Sequence, residues 1–120
     1  MYQSSEDKLT VHLRGDDPPI VEASGELDFY NKQKLASVAE GLFAQEMYSF
    51  VLDMSQVDFA DSAGLGLLIL IQRRAETHGG KISALFHPRV AKTLKMMGLT
   101  TFFHIFGTRE EALHHLASRD

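Results

Sequence analysis

Residues Phe50 to Ile71 constrain the fold more than any other stretch of the chain. Phe50-Val51-Leu52 is a short apolar run suited to a buried, parallel-type strand, which ends at Asp53. An acidic loop carrying Asp58 and Asp61 is expected next, and then a helix from Ser62 to Thr77. Over its first two turns this helix carries Leu65, Leu67, Leu68, Ile69, Leu70 and Ile71. At roughly 100° per residue these side chains surround the axis. A helix apolar all round is buried, or keeps one face for a partner. Polar groups return only at Gln72, Arg73, Arg74 and Glu76, and Gly79-Gly80 ends the element. A buried strand feeding a buried helix requires a layered α/β domain.

The flanking sequence extends the same alternation. Lys8 to Arg14 places Leu9, Val11 and Leu13 on one face of a strand, and Gly15-Asp16-Asp17-Pro18-Pro19 is a dense turn signal. Ile20 to Ser24 returns as the second arm of an antiparallel hairpin, ended by Gly25-Glu26-Leu27-Asp28. Asp28 or Asn31 caps a helix whose apolar positions are Leu35, Val38, Ala39, Leu42 and Phe43. Beyond the central stretch, Lys81 to Phe86 is a strand. Pro88 opens a third helix with Val90, Leu94 and Met97 inward, stopped by Gly98. Phe102 to Phe106 is a last strand, and Thr108-Arg109-Glu110-Glu111 is a capping box opening a final helix with Ala112, Leu113 and Leu116 inward. The expected architecture is one domain over residues 1–120, with a mixed sheet of about five strands and about four helices. Residues 1–7 form a flexible, polar and acidic N-terminus, unlike a signal peptide.

Composition removes several function classes. A net charge of -4 without a Lys/Arg run argues against direct nucleic-acid binding. The absence of Cys rules out a thiolate zinc site and fits a reducing, cytoplasmic setting. The longest apolar run, Leu67 to Ile71, is far short of the ~20 residues of a membrane span. No cofactor motif is present.

Chemistry is most plausible where the central helix begins. An opening helical turn has unpaired backbone N–H groups and a partial positive charge, so it receives anions. Ser62 also sits past the carboxyl end of a strand, where open α/β folds place their sites. Ala60-Asp61-Ser62-Ala63-Gly64 comes within one small residue of a hydrolase nucleophile elbow, with His87 the best-placed base. The chain is short for a complete hydrolase, and catalysis is not expected. Asp53, Asp58 and Asp61 suggest a Mg²⁺ pocket, but loop and capping carboxylates explain them better. The six His residues are scattered without ligand spacing, so no metal site is expected.

The pattern Asp53-Met54-Ser55-x-Val57-x-Phe59-x-Asp61-Ser62-x-Gly64-Leu65-Gly66 carries a resemblance, reinforced by Gly25-Glu26-Leu27-Asp28 and Met97-Gly98-Leu99. It resembles the anti-sigma-factor antagonists of the STAS domain family over nearly the whole chain. The resemblance implies a bacterial regulator of transcription that works by protein–protein interaction. In its unphosphorylated form it would bind an anti-sigma factor of the GHKL serine-kinase type and so release a sigma factor. Phosphorylation at Ser62 would end that binding, and a PP2C-type phosphatase would reverse it. The implied partner surface comprises Asp28, Phe29, Tyr30, Asp61, Ser62, Ala63, Gly64 and Leu65. Ala63 stands where such antagonists often carry a second hydroxyl. Phe29-Tyr30 replaces smaller or polar residues, and either enlarges the docking surface or packs beneath the first helix. The alternative is a STAS interaction module that is not phosphorylated and serves another signalling or lipid-transport assembly. The apolar helix also leaves a homodimer open.

Overall fold

The computed structural model describes residues 5–118; the outermost part of the expected flexible N-terminus, residues 1–4, lies outside them. A 3-10 turn, Ser5–Lys8, leads into β1 (Leu9–Arg14) and β2 (Ile20–Leu27). There follow α1 (Lys32–Ala44), β3 (Phe50–Ala60), α2 (Ser62–Thr77), β4 (Ile82–Phe86), α3 (Pro88–Met96), β5 (His104–Ile105) and α4 (Arg109–Ala117). The five strands lie in the order β1-β2-β3-β4-β5. β1 and β2 are antiparallel, as the turn at Gly15–Pro19 predicts, and the remaining pairs are parallel.

Two layers of side chains account for the packing. Leu35, Ala39, Leu42 and Phe43 of α1, Leu65, Leu68, Ile71 and Ala75 of α2, and Val90 and Leu94 of α3 share one core with Leu9, Val21, Leu27, Phe50 and Leu52. Right-handed crossovers between adjacent parallel strands bring three helices to the same face in this way. On the other face a smaller cluster of Val51, Leu85 and Ala112 is flanked by Ile20, Phe106, Leu113 and Leu116 under α4. Among the described residues no helix is long and apolar enough to cross a membrane.

Besides β2, which runs on past Ser24 through Gly25 and Glu26 to Leu27, four expectations change. The loop after Asp53 does not exist: β3 continues to Ala60, paired with β2 as far as Leu27. Register shifts between Glu22 and Ser24 and between Gly25 and Glu26 break the period of two, so the polar Ser55, Gln56 and Asp58 read as loop. Secondly, α2 is not buried all round, because Leu67 and Ile69 are half-buried and Leu70 is 55% exposed. Thirdly, Met97 lies past the end of α3 and is exposed, so the inner stripe is Val90 and Leu94 alone. Lastly, β5 has only two residues, since Phe102 closes a 3-10 turn, Thr100–Phe102.

α4 is held to the sheet by charge as well as by its short apolar face. Arg109 Nη2 donates to Glu22 Oε2 on β2 and to Asp53 Oδ2 on β3, both at 2.6 Å, and Arg14 also pairs with Glu22. Burial works against ionisation of Asp53, but hydrogen bonds from Ser55 and Arg109 outweigh it and hold the carboxyl below its ordinary range. Hydrogen bonds from Arg109 and then Arg14 lower Glu22 as well. Both groups therefore favour the folded state above the carboxylate range, and that contribution disappears as pH falls through their lowered pKa values. Arg109→Met leaves Asp53 without its cation, although the guanidinium is partly solvent-screened. The expected cost is about 1–3 kcal/mol near neutral pH. Urea unfolding at ~pH 7 and ~pH 3 should show the gap between variant and wild type closing in acid.

Candidate functional site

The ends of β2 and β3 bring two distant segments together. Leu27 pairs with Ala60, and the Asp61 amide donates to the Leu27 carbonyl at 3.1 Å. The turn at 28–31 and the first turn of α2 consequently lie side by side.

Asp61 joins them. Its backbone is extended (φ -83, ψ 179), the conformation of an N-cap. Oδ1 accepts the Gly64 amide at 2.9 Å, and Oδ2 accepts the Phe29 amide at 3.0 Å. A single carboxylate thus caps α2 and fastens the neighbouring turn. Gly64 is required by packing, because a Cβ there would lie 2.8 Å from Leu27 Cγ. Asp61→Ala is expected to cost about 1–2 kcal/mol, the usual loss for a helix cap. Hydrogen exchange should report faster opening at the Phe29 and Gly64 amides specifically.

The adjacent turn is locked by its own side chains. Asp28 Oδ1 accepts from the amides of Tyr30 (2.9 Å) and Asn31 (3.0 Å). Asn31 Oδ1 accepts the Asp28 amide at 2.8 Å, and its Nδ2 donates to the Glu26 carbonyl at 2.8 Å. These reciprocal bonds lock the turn at 28–31; Asn31 holds the N-cap position of α1 without a side-chain bond to a helix amide, so the expected capping by Asp28 or Asn31 becomes a turn lock that precedes the helix. Asn31 is buried, which turns Phe29 and Tyr30 outward. They are 60% and 74% exposed, their rings meeting edge to face at 5.3 Å between centroids, with Lys32 Nζ 5.5 Å from the Phe29 ring centre. Packing beneath α1 is therefore excluded for both aromatics.

Ser62 occupies the first position of α2 and is exposed. Among the described residues its hydroxyl has no hydrogen-bond partner, and the amides of Ser62 and Ala63 have no acceptor. Two free N–H groups, the helix dipole and a free hydroxyl can together accommodate an anion bonded to Ser62.

Six of the eight residues expected on the partner surface share this edge: Asp28, Phe29, Tyr30, Asp61, Ser62 and Ala63, whereas Gly64 is buried against Leu27. Leu65 is only 2% exposed and belongs to the core. The three acidic residues of the central stretch do not converge. Asp53 bonds Ser55 and Arg109, Asp58 is exposed on β3, and Asp61 caps α2. Asp53 is therefore neither a loop nor a capping carboxylate, since β3 extends past it. His87 caps α3, its Nδ1 accepting the Arg89 amide at 3.0 Å. Asn31 escaped the sequence reading as a member of the site, although the three-residue spacing from Asp28 suits such reciprocal bonds.

Comparison with known proteins agrees with this fold. The STAS domain pattern matches residues 10–112. An anti-sigma F factor antagonist from Paenibacillus polymyxa is 28% identical over 99 residues, spanning 81% of this chain and 85% of that protein. Among solved structures, an anti-sigma factor antagonist from Mycobacterium paratuberculosis superposes with a TM-score of 0.83 at 24% identity, covering 97% of this chain and all of the other. The antagonist SpoIIAA in its unphosphorylated form gives 0.74 at 23% identity, over 90% and 96% of the two chains. The phosphorylated form of SpoIIAA, from Bacillus, gives 0.66 at 21% identity, over 89% and 97%. At these identities the structural likeness is one of fold.

Proposed function

The chain belongs to the STAS domain family, and from that premise we propose that it is an anti-sigma-factor antagonist whose switch is Ser62. Unphosphorylated, it binds an anti-sigma factor of the GHKL serine-kinase type through the edge formed by Asp28, Phe29, Tyr30 and Asp61 to Ala63, and a sigma factor goes free. Phosphate placed on Ser62 by that kinase ends the binding, and a PP2C-type phosphatase restores it. The chain is here a substrate and a ligand, not a catalyst, and it works in the bacterial cytoplasm.

One observation carries this reading. Asp61 fastens both halves of the edge through its two oxygens and leaves the Ser62 hydroxyl exposed between them. The relative from Paenibacillus polymyxa, itself an anti-sigma F factor antagonist, supports the assignment of partner class.

The physics of the switch is electrostatic. A phosphoserine adds about -1.5 to -2 charge and three acceptor oxygens. The start of α2 tolerates this, contributing about 0.3–1 kcal/mol of favourable interaction, so the fold survives modification. A docked partner would instead have to bury the new charge beside Asp28 and Asp61. A penalty of ~3 kcal/mol suffices for a loss of more than a hundredfold in affinity. Competition tests the binding half of the proposal. Adding the unmodified chain to the complex of its genomic anti-sigma factor with sigma should release sigma in proportion. No release at excess chain would refute it and favour an interaction module outside sigma control.

A further inference from the structure

The longest stretch without a carboxylate runs from Thr77 to Arg109 and includes all of α3. In a chain of net charge -4 this is a marked polarity. On α3 itself Arg89, Lys92 and Lys95 follow one another at three-residue spacing, forming a row along the exposed side. None of the three forms an ion pair among the described residues. The opposite side of the helix is committed to the core through Val90 and Leu94. Past the last cation, Met96 is 77% exposed and Met97 is 52% exposed.

Helix stability does not explain this row. Like charges one turn apart repel, and no acidic residue is interposed to relieve them. Arg89 stands in the first turn, where the helix dipole favours an anion and disfavours a cation. Only Lys95, in the last turn, complements the dipole. Two exposed methionines add flexible, polarisable surface of the kind that accommodates apolar side chains of a partner. Arg89 also lines an open cleft with Asp58, Phe59 and Ala60, so the row begins beside the strand that leads to Asp61.

We propose that the outer face of α3, from Arg89 to Met97, is a second docking surface, and that its occupant is an acidic segment of a protein carrying apolar side chains among its carboxylates. Carboxylates complement the cationic row, and the apolar side chains meet Met96 and Met97. Nucleic acid fits less well, because its stable binding usually draws on about 6–10 phosphate contacts and this row offers three cations. A membrane surface also fits less well, since the apolar stripe that would enter the lipid is already used in the core. The proposal is independent of the role assigned to Ser62.

Nuclear magnetic resonance titration of the whole chain tests it, with an amphipathic Glu/Leu peptide as the probe. Its Glu→Gln counterpart, phosphatidylserine vesicles and a single-stranded oligonucleotide serve as comparisons. The expected result is saturable shifts confined to α3 and the residues just after it, weakening as salt is raised. Lys92→Glu with Lys95→Glu should lower affinity at least about tenfold, whereas Ser62→Asp should leave it unchanged. Met96→Ala should weaken binding severalfold with the fold intact, Met96 being exposed. Shifts elsewhere on the molecule, or affinity indifferent to the charge reversal, would overturn the proposal. So would tighter binding of the vesicles or the oligonucleotide to the same face.

Discussion

Ser62→Asp is expected to weaken binding to the anti-sigma factor more than a hundredfold while changing folding stability by no more than about 0.5 kcal/mol. The two effects separate because they concern different surroundings of one position. In the free chain Ser62 is exposed at the start of a 16-residue helix, where a negative charge meets the positive end of the dipole and two unpaired amides. Asp61 lies next to it in sequence, so part of the gain is offset by repulsion. In a complex the same charge would be removed from water beside Asp28 and Asp61, and the dipole and two amides of α2 would offset only part of that cost. Calorimetric titration against the partner, paired with urea unfolding of the variant, measures both halves. Unchanged affinity in a folded variant would remove the charge argument.

The largest effect on stability is expected from Gly25→Ala, at about 3–5 kcal/mol. Gly25 has φ +109, a backbone conformation that side-chain-bearing residues rarely adopt. An added Cβ would also lie 1.8 Å from the Lys8 carbonyl oxygen, a backbone atom that cannot move without displacing the start of β1. Gly25 pairs with Leu9 on one side and Val57 on the other, so the strain falls in the middle of the sheet. Such a loss is a large fraction of the roughly 5–15 kcal/mol that holds a domain together. Guanidinium unfolding would check it, and a cost below about 1 kcal/mol would contradict the packing described here. The substitution should also loosen the edge around Ser62, because β2 ends at Leu27, directly before the Asp28–Asn31 turn.

Much of the fold could be read from local chemistry. α2 begins at Ser62 and ends at Thr77 as expected, because Asp61 is a strong cap and Gly79 a strong terminator. The hairpin, the alternation of helices and strands, and the α1 stripe were legible for the same reason. What could not be read depends on partners distant in sequence. The continuation of β3 through Ser55, Gln56 and Asp58 rests on bulged pairing with β2, which leaves no regular alternation to detect. Arg109 looked like a helix-start residue, but its guanidinium joins Glu22 and Asp53, a contact only the topology creates. At the site, the resemblance supplied the residue names. The clasp of Asp61 on the Phe29 amide follows from Leu27 pairing with Ala60, and no spacing in the chain implies that register. The motif groups Gly64 and Leu65 with the surface, yet the turn of the helix directs both inward.

The central claim, that Ser62 is the residue on which the switch acts, is tested most directly by phosphate transfer. Purified chain, ATP and the serine kinase from the same genome are combined, and incorporated phosphate is located by mass spectrometry. One phosphate per chain at Ser62, with none on Ser62→Ala, is the predicted result. Phosphate at another residue, or none on the wild-type chain from any such kinase, would contradict the account.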